Sequence, residues 1–220
     1  MNIKKVLFFF LLAEFSSHCL SGETLPVLLL QTFGSPQQAG RNIGGQSERN
    51  ITQQLADEIS TQLQEETTLE TFIINPPVRA KKDPLEILGK INSMPKATVI
   101  QLSVSQTTTP KPVCNVFYRC YNPLTDQIKR PSAGITAIPL EEVYLLSFNQ
   151  SKALAASLTT YLQQENHEAY EIRPAAGIPL ANTRGIRHPL IHIEIEVDKT
   201  TPLLSLSTSL AKSLKLLLSA

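Results

Sequence analysis

Short apolar runs of strand length and longer segments with an apolar residue every third or fourth position take turns along this chain of 220 residues. That alternation restricts the fold more than any other feature. Leu25–Leu30 is an unbroken apolar run ahead of Gly34, as a strand buried on both faces requires. Ile51, Leu55, Ile59 and Leu63 then recur at helical spacing over about residues 48–65, behind Ser47 as N-cap. Thr71–Ile74 and Ala97–Val104 read as strands, and Asp83-Pro84 opens a short helix to about Asn92 with Leu85, Leu88 and Ile91 on its core face. Val113–Tyr121 is a further strand, with another short one predicted at Gly134–Ile138. A second long helix spans about 150–164 with Leu154, Ala155, Leu158 and Leu162 on one face. Ile191–Val197 alternates strictly, its isoleucines on one side and His192, Glu194 and Glu196 on the other. A last helix starts near Thr201-Pro202 and carries Leu203, Leu206, Leu210, Leu214 and Leu217. The expected fold is one α/β domain over residues 25–220: a mostly parallel or mixed central sheet with helices on both faces.

Charge excludes one class of function. Twenty basic and 19 acidic residues nearly cancel, so there is no surplus of cation for nucleic acid or for an anionic membrane surface. The Gly40–Gly45 segment lacks the lysine and spacing of a phosphate loop.

Residues 1–22 have the layout of a secretory signal peptide: Lys4 and Lys5, the apolar run Val6–Leu12, then small and polar residues to Gly22. The run is too short to span a bilayer. The mature domain is therefore expected in the periplasm or cell envelope. Membrane attachment is expected only if Cys19 is lipidated, and His18 stands where a lipobox wants a small residue. Export permits disulfides. Along one strand, Cys114 and Cys120 would lie about 20 Å apart at about 3.3 Å per residue, beyond bonding reach, whereas a hairpin at 116–118 would bring them together. The strand with two buried thiols is the preferred reading.

The order of these segments resembles the zinc-dependent N-acetylmuramoyl-L-alanine amidases that cut bacterial peptidoglycan, a phosphorylase/hydrolase-like fold. Val27–Ser35 looks like that family's first strand and loop, and Ser47–Ile59 like its ligand-bearing helix, with Glu48 at the ligand position. Pro84–Asn92 with Ala97–Val104 is similar to the helix and strand ahead of the second histidine ligand. Arg173–Gly177 through His188–Ile195 looks like the closing strand, with Glu194 at the catalytic position. The resemblance puts Gly34 and Ser103 where the two histidine ligands belong, and neither can hold zinc. A catalytic zinc needs three protein ligands and a water that a carboxylate orients. Glu48 is the one ligand kept.

The resemblance thus implies an amidase-like domain, catalytically inactive, that takes no cofactor and binds peptidoglycan or an envelope protein. One alternative is a working amide hydrolase whose zinc site is rebuilt from Glu48, His188 or His192 and a carboxylate. Another is an unrelated secreted α/β binding domain. Each residue also has a plainer role. Glu48 suits the first turn of a helix through the helix dipole alone. The polar side of residues 192–196 suits a strand at a sheet edge or cleft. Ser103 is not read as a nucleophile, since no His with an Asp or Glu partner is identifiable for it, and His167 reads as a solvated loop residue.

Overall fold

The computed structural model describes residues 27–34, 38–66, 69–74, 84–107, 109, 111–120, 140, 142–166, 170–179, 185–197 and 203–219. The strands are β1 (Val27–Thr32), β2 (Asn42–Ile43), β3 (Gln46–Ser47), β4 (Glu70–Ile74), β5 (Ala97–Gln106), β6 (Val113–Arg119), β7 (Glu171–Ile172), β8 (Ala176–Ile178) and β9 (Leu190–Val197). The helices are α1 (Glu48–Glu66), α2 (Pro84–Ser93), α3 (Phe148–Asn166) and α4 (Leu203–Ser219), with a 3-10 turn at Val143–Leu146. The strand predicted at 134–138, Asp83, the leader and His167 lie outside the described residues.

The main sheet runs β4-β1-β5-β9-β6-β7, with β8 also paired to β6. β4, β1, β5 and β9 are mutually parallel, and β6 runs antiparallel to β9. The sheet is therefore mixed, with helices on both faces.

Strand alternation sends Leu28, Leu30, Ile100, Leu102, Val104, Ile191, Ile193 and Ile195 to one face. There they pack with the stripes of α1 (Ile51, Leu55, Ile59, Leu63), α3 (Leu158, Leu162) and α4 (Leu206, Leu210, Leu214) in one core. Three amphipathic helices cover this face because each has one apolar stripe to bury. The other face carries a smaller core of Val27, Leu29, Val99, Ile91, Ile186 and Leu190, against which α2 packs through Ile87 and Leu88. Further along the same strands this face turns polar, at Gln31, Gln101, Ser103, His192 and Glu194.

Two expectations change. β9 lies between β5 and β6 instead of at an edge, so its polar side chains are half-buried by neighbours. Cys114 and Cys120 are both free, and only Cys114 is fully buried, its thiol pushed up to about 12 by burial.

Candidate functional site

The candidate site forms where β1, β5 and β9 end and α1 begins. Gly44 and Gly45, both at positive φ (60° and 93°), close the β2–β3 hairpin in the left-handed region that glycine enters without strain. The hairpin delivers the chain to α1, whose first turn is held by Glu48 N–H donating to Arg41 O (2.8 Å) and Arg49 N–H to Ala39 O (3.0 Å). Ser47 Oγ accepts from Asn50 N–H at 3.3 Å, as its N-cap role requires.

Glu48 is 1% exposed. One carboxylate oxygen accepts the N–H of Val104 in β5 (3.2 Å), the other the N–H of Arg41 (3.2 Å). The carboxylate thus pins the hairpin, α1 and β5 together. Gly40 permits this, because a Cβ there would lie 2.7 Å from Glu48 Oε2.

Arg41 reaches in the other direction as well. Its Nη1 donates to Glu194 Oε1 at 3.0 Å, linking the two carboxylates singled out from sequence through one residue. The strand register sets Glu194 beside Ser103 of β5 and Asn115 of β6. Asn115 donates to Glu196 (2.9 Å), which also accepts from Arg173 (3.4 Å).

Beneath this charged row runs a chain of neutral polar groups. Ser103 Oγ lies 2.9 Å from His192 Nε2, and His192 Nδ1 lies 3.3 Å from Gln101 Oε1. Gln101 Nε2 donates to Gln31 Oε1 at 3.2 Å. Since Gln101 offers His192 an acceptor, Nδ1 carries the proton and Nε2 accepts from the serine hydroxyl. Burial lowers the His192 pKa and Arg41 lowers it further against the opposing pull of Glu194, so the ring is neutral near pH 7. Phe117 stacks on it with centroids 6.0 Å apart.

Glu48, Ser103, His192 and Glu194 therefore share one region, and Gly34 lies in the loop against α1. His188 does not join them. It precedes β9, its Nε2 is 3.0 Å from Ile91 O at the opposite end of the sheet, and the four β9 steps from Leu190 to Glu194 alone span about 13 Å. Burial, then Arg187, lower its pKa. Ser103 has a histidine neighbour because β5 and β9 are adjacent although 89 residues separate the pair, and the other ring nitrogen of that histidine meets Gln101, not an Asp or Glu. Arg41, Gln101 and Asn115 were not singled out, and nothing in their local sequence marks them.

A zinc ion does not fit this donor set. Among the described residues no three His, Cys, Asp or Glu side chains lie where one ion can bind them. Both Glu48 oxygens accept backbone N–H groups, and His192 is bonded through both ring nitrogens. A side chain at position 34 would be strained, since Gly34 has φ +80° and its Cβ would lie 2.9 Å from Gln38 O. The groups present can instead donate and accept hydrogen bonds to a polar ligand.

No protein-family model matches the chain, and no curated protein sequence matches it. Solved structures do match in fold. N-acetylmuramoyl-L-alanine amidase AmiC2 of Nostoc punctiforme superimposes with a TM-score of 0.61 at 9% identity, over 89% of this chain and 98% of that one. The catalytic domain of the amidase CwlV from Bacillus (Paenibacillus) polymyxa gives 0.58 at 12% identity, over 89% and 99%. The CwlD amidase of Clostridioides difficile, solved in complex with the GerS lipoprotein, gives 0.57 at 12% identity, over 88% and 98%. The chain has the fold of amidase catalytic domains.

Proposed function

We propose that this chain is an exported cell-envelope protein whose amidase-like domain, residues 25–220, has given up metal-dependent hydrolysis and binds peptidoglycan or a protein of the wall machinery. Near-complete coverage of amidase catalytic domains in both directions supports the cell-wall assignment. The observation that carries the loss of catalysis is the state of Glu48 and Glu194. In a hydrolytic zinc site the first would hold the metal and the second would orient its water. Here Glu48 is tied to two backbone N–H groups and Glu194 to the Arg41 guanidinium. Arg41 thus meets both carboxylates, Glu48 through its backbone N–H and Glu194 through its guanidinium. The polar face that remains, with Arg41, Glu194, Asn115 and Arg173 on it, offers hydrogen-bonding groups of both signs to a polar ligand. A solved relative in fold binds a lipoprotein, which supports a protein partner as the second ligand class.

The test is zinc content by elemental analysis after dialysis against trace zinc, beside an active zinc amidase, followed by pull-down on purified peptidoglycan sacculi. The expected result is no zinc above background and retention on sacculi. One zinc per chain, abolished by Glu48→Ala, would overturn the reading.

A further inference from the structure

The opposite end of the sheet, where β5 and β9 begin, has a different character. Leu140, Leu145 and Leu146 are 43%, 46% and 61% exposed. Single exposed leucines are ordinary, but these occur within seven residues, and Leu146 opens onto a cleft of about 650 Å³. Leu154, Ala97 and Pro189 form apolar walls of that cleft, Lys96 and Arg187 stand on its lining, and among the described residues no acidic side chain lines it. Net neutrality of the chain conceals this local cationic and apolar patch.

The chain enters the domain at the same place. Val27 N–H donates to Lys96 O at 3.4 Å, so the first described residue, Val27, lies beside the cleft. Eight residue steps separate Cys19 from Val27, a reach of at most about 28 Å. A membrane-held N-terminus would therefore keep this end of the domain near the bilayer. A single lipid chain or a short apolar run binds a membrane only marginally, and stable attachment takes a second signal such as basic and apolar surface.

We propose that this end of the domain is a membrane-contact face: Leu145 and Leu146 enter the interface of an anionic bilayer, and Lys96 and Arg187 meet lipid phosphates. The proposal rests on the export reading with an N-terminus that stays in the membrane, and is independent of what the Glu48–Glu194 region binds. Leucines at headgroup depth lose water-exposed apolar area, while lysine and arginine lay their stems along apolar surface and keep their charges at the phosphates. The Glu48–Glu194 region, at the other end of the strands, would then face away from the membrane, toward the wall.

The chain contains no tryptophan, so Leu146→Trp introduces a single fluorescent reporter at an exposed position. Phe33→Trp, 38% exposed beyond the far end of β1, is the control. The full chain would be reconstituted into phosphatidylglycerol–phosphatidylethanolamine vesicles and, separately, into phosphatidylcholine vesicles. The expected result with anionic vesicles is a blue-shifted emission at 146, quenched by brominated lipid, with the 33 reporter unchanged. Lys96→Glu with Arg187→Glu should weaken association with anionic vesicles about fivefold or more. Unshifted emission at 146 in vesicle-bound protein overturns the proposal, and so does a chain that stays in the soluble fraction. Shielding at 146 that requires added envelope protein and resists brominated lipid assigns the face to a protein partner and overturns it too. Sacculus pull-down is read separately, so failure here leaves the proposed function standing.

Discussion

The two sides of β9 are one strand in one sheet, yet they obey different rules. Ile191, Ile193, Ile195 and Val197 face the three-helix core and are almost completely buried, and any apolar side chain of the right volume meets their requirement. His192, Glu194 and Glu196, one residue out of phase, are half-buried and held by named partners: Ser103, Arg41 and Asn115. Packing demands the first set, whereas the α/β architecture has no need of the second. The polar side is therefore where this chain departs from generic fold requirements, and substitutions on the two sides should separate stability from binding.

The largest effect is expected from the apolar side. Ile193→Ala should lower unfolding free energy by about 2–5 kcal/mol, through lost transfer energy plus a cavity among residues that cannot collapse to fill it. Urea denaturation measures this. A loss below about 1 kcal/mol would mean that the three-helix face is loosely packed, and would erase the contrast between the two sides.

Glu48 tests the polar side at its most buried point. Glu48→Ala leaves the N–H groups of Arg41 and Val104 without their acceptors, each costing about 1–3 kcal/mol when sequestered from water. The expected loss is about 2–3 kcal/mol. Glu48→Gln, which keeps one oxygen acceptor, should lose about half of that. Addition of zinc should change none of the three melting temperatures. Zinc-dependent stabilisation of the parent chain alone would show that Glu48 is a ligand after all.

These residues also show what the sequence made legible. The apolar stripes of α1, α3 and α4 and the alternation in β9 follow from periods of 3.6 and 2, and both are readable without neighbours. α3 begins two residues before its predicted start, and the β2–β3 hairpin was read as loop, since two-residue strands are too short for a pattern. Glu48 and Glu194 were found through family resemblance. Arg41 was not, because its role comes from a long-range contact across 153 residues and a glycine-rich loop has no period to read. The Ser103–His192 contact was missed for the same reason: only the β5–β9 pairing creates it.

The neutral imidazole of His192 makes the polar side sensitive to acid. Its folded pKa lies below the ordinary value of 6.5 mainly because of burial, so the folded state binds fewer protons than the unfolded chain. Stability contributed this way is complete above about pH 6.5 and is lost as pH falls through that value toward the folded pKa. His188 shifts in the same direction, through burial and Arg187. Melting temperature should therefore fall between pH 7 and pH 5. His192→Gln should flatten part of that fall and the further change His188→Gln more of it. An undiminished slope in the double variant would place the acid sensitivity elsewhere.

The smallest effect is expected from the ion pair that joins the two carboxylate positions. Arg41 and Glu194 have side chains 56% and 25% exposed, so water and salt screen their attraction. A double-mutant cycle with Arg41→Ala and Glu194→Ala should give a coupling of about 0.2–1 kcal/mol, shrinking at high salt. Under the proposed binding role, a pair this loosely held can exchange its partner for a charged group of an incoming ligand, whereas the Glu48 tie beneath it cannot. A coupling well above about 2 kcal/mol that persists in salt would make Arg41–Glu194 a structural lock, and the binding role would then shift to Asn115 and Arg173 alone.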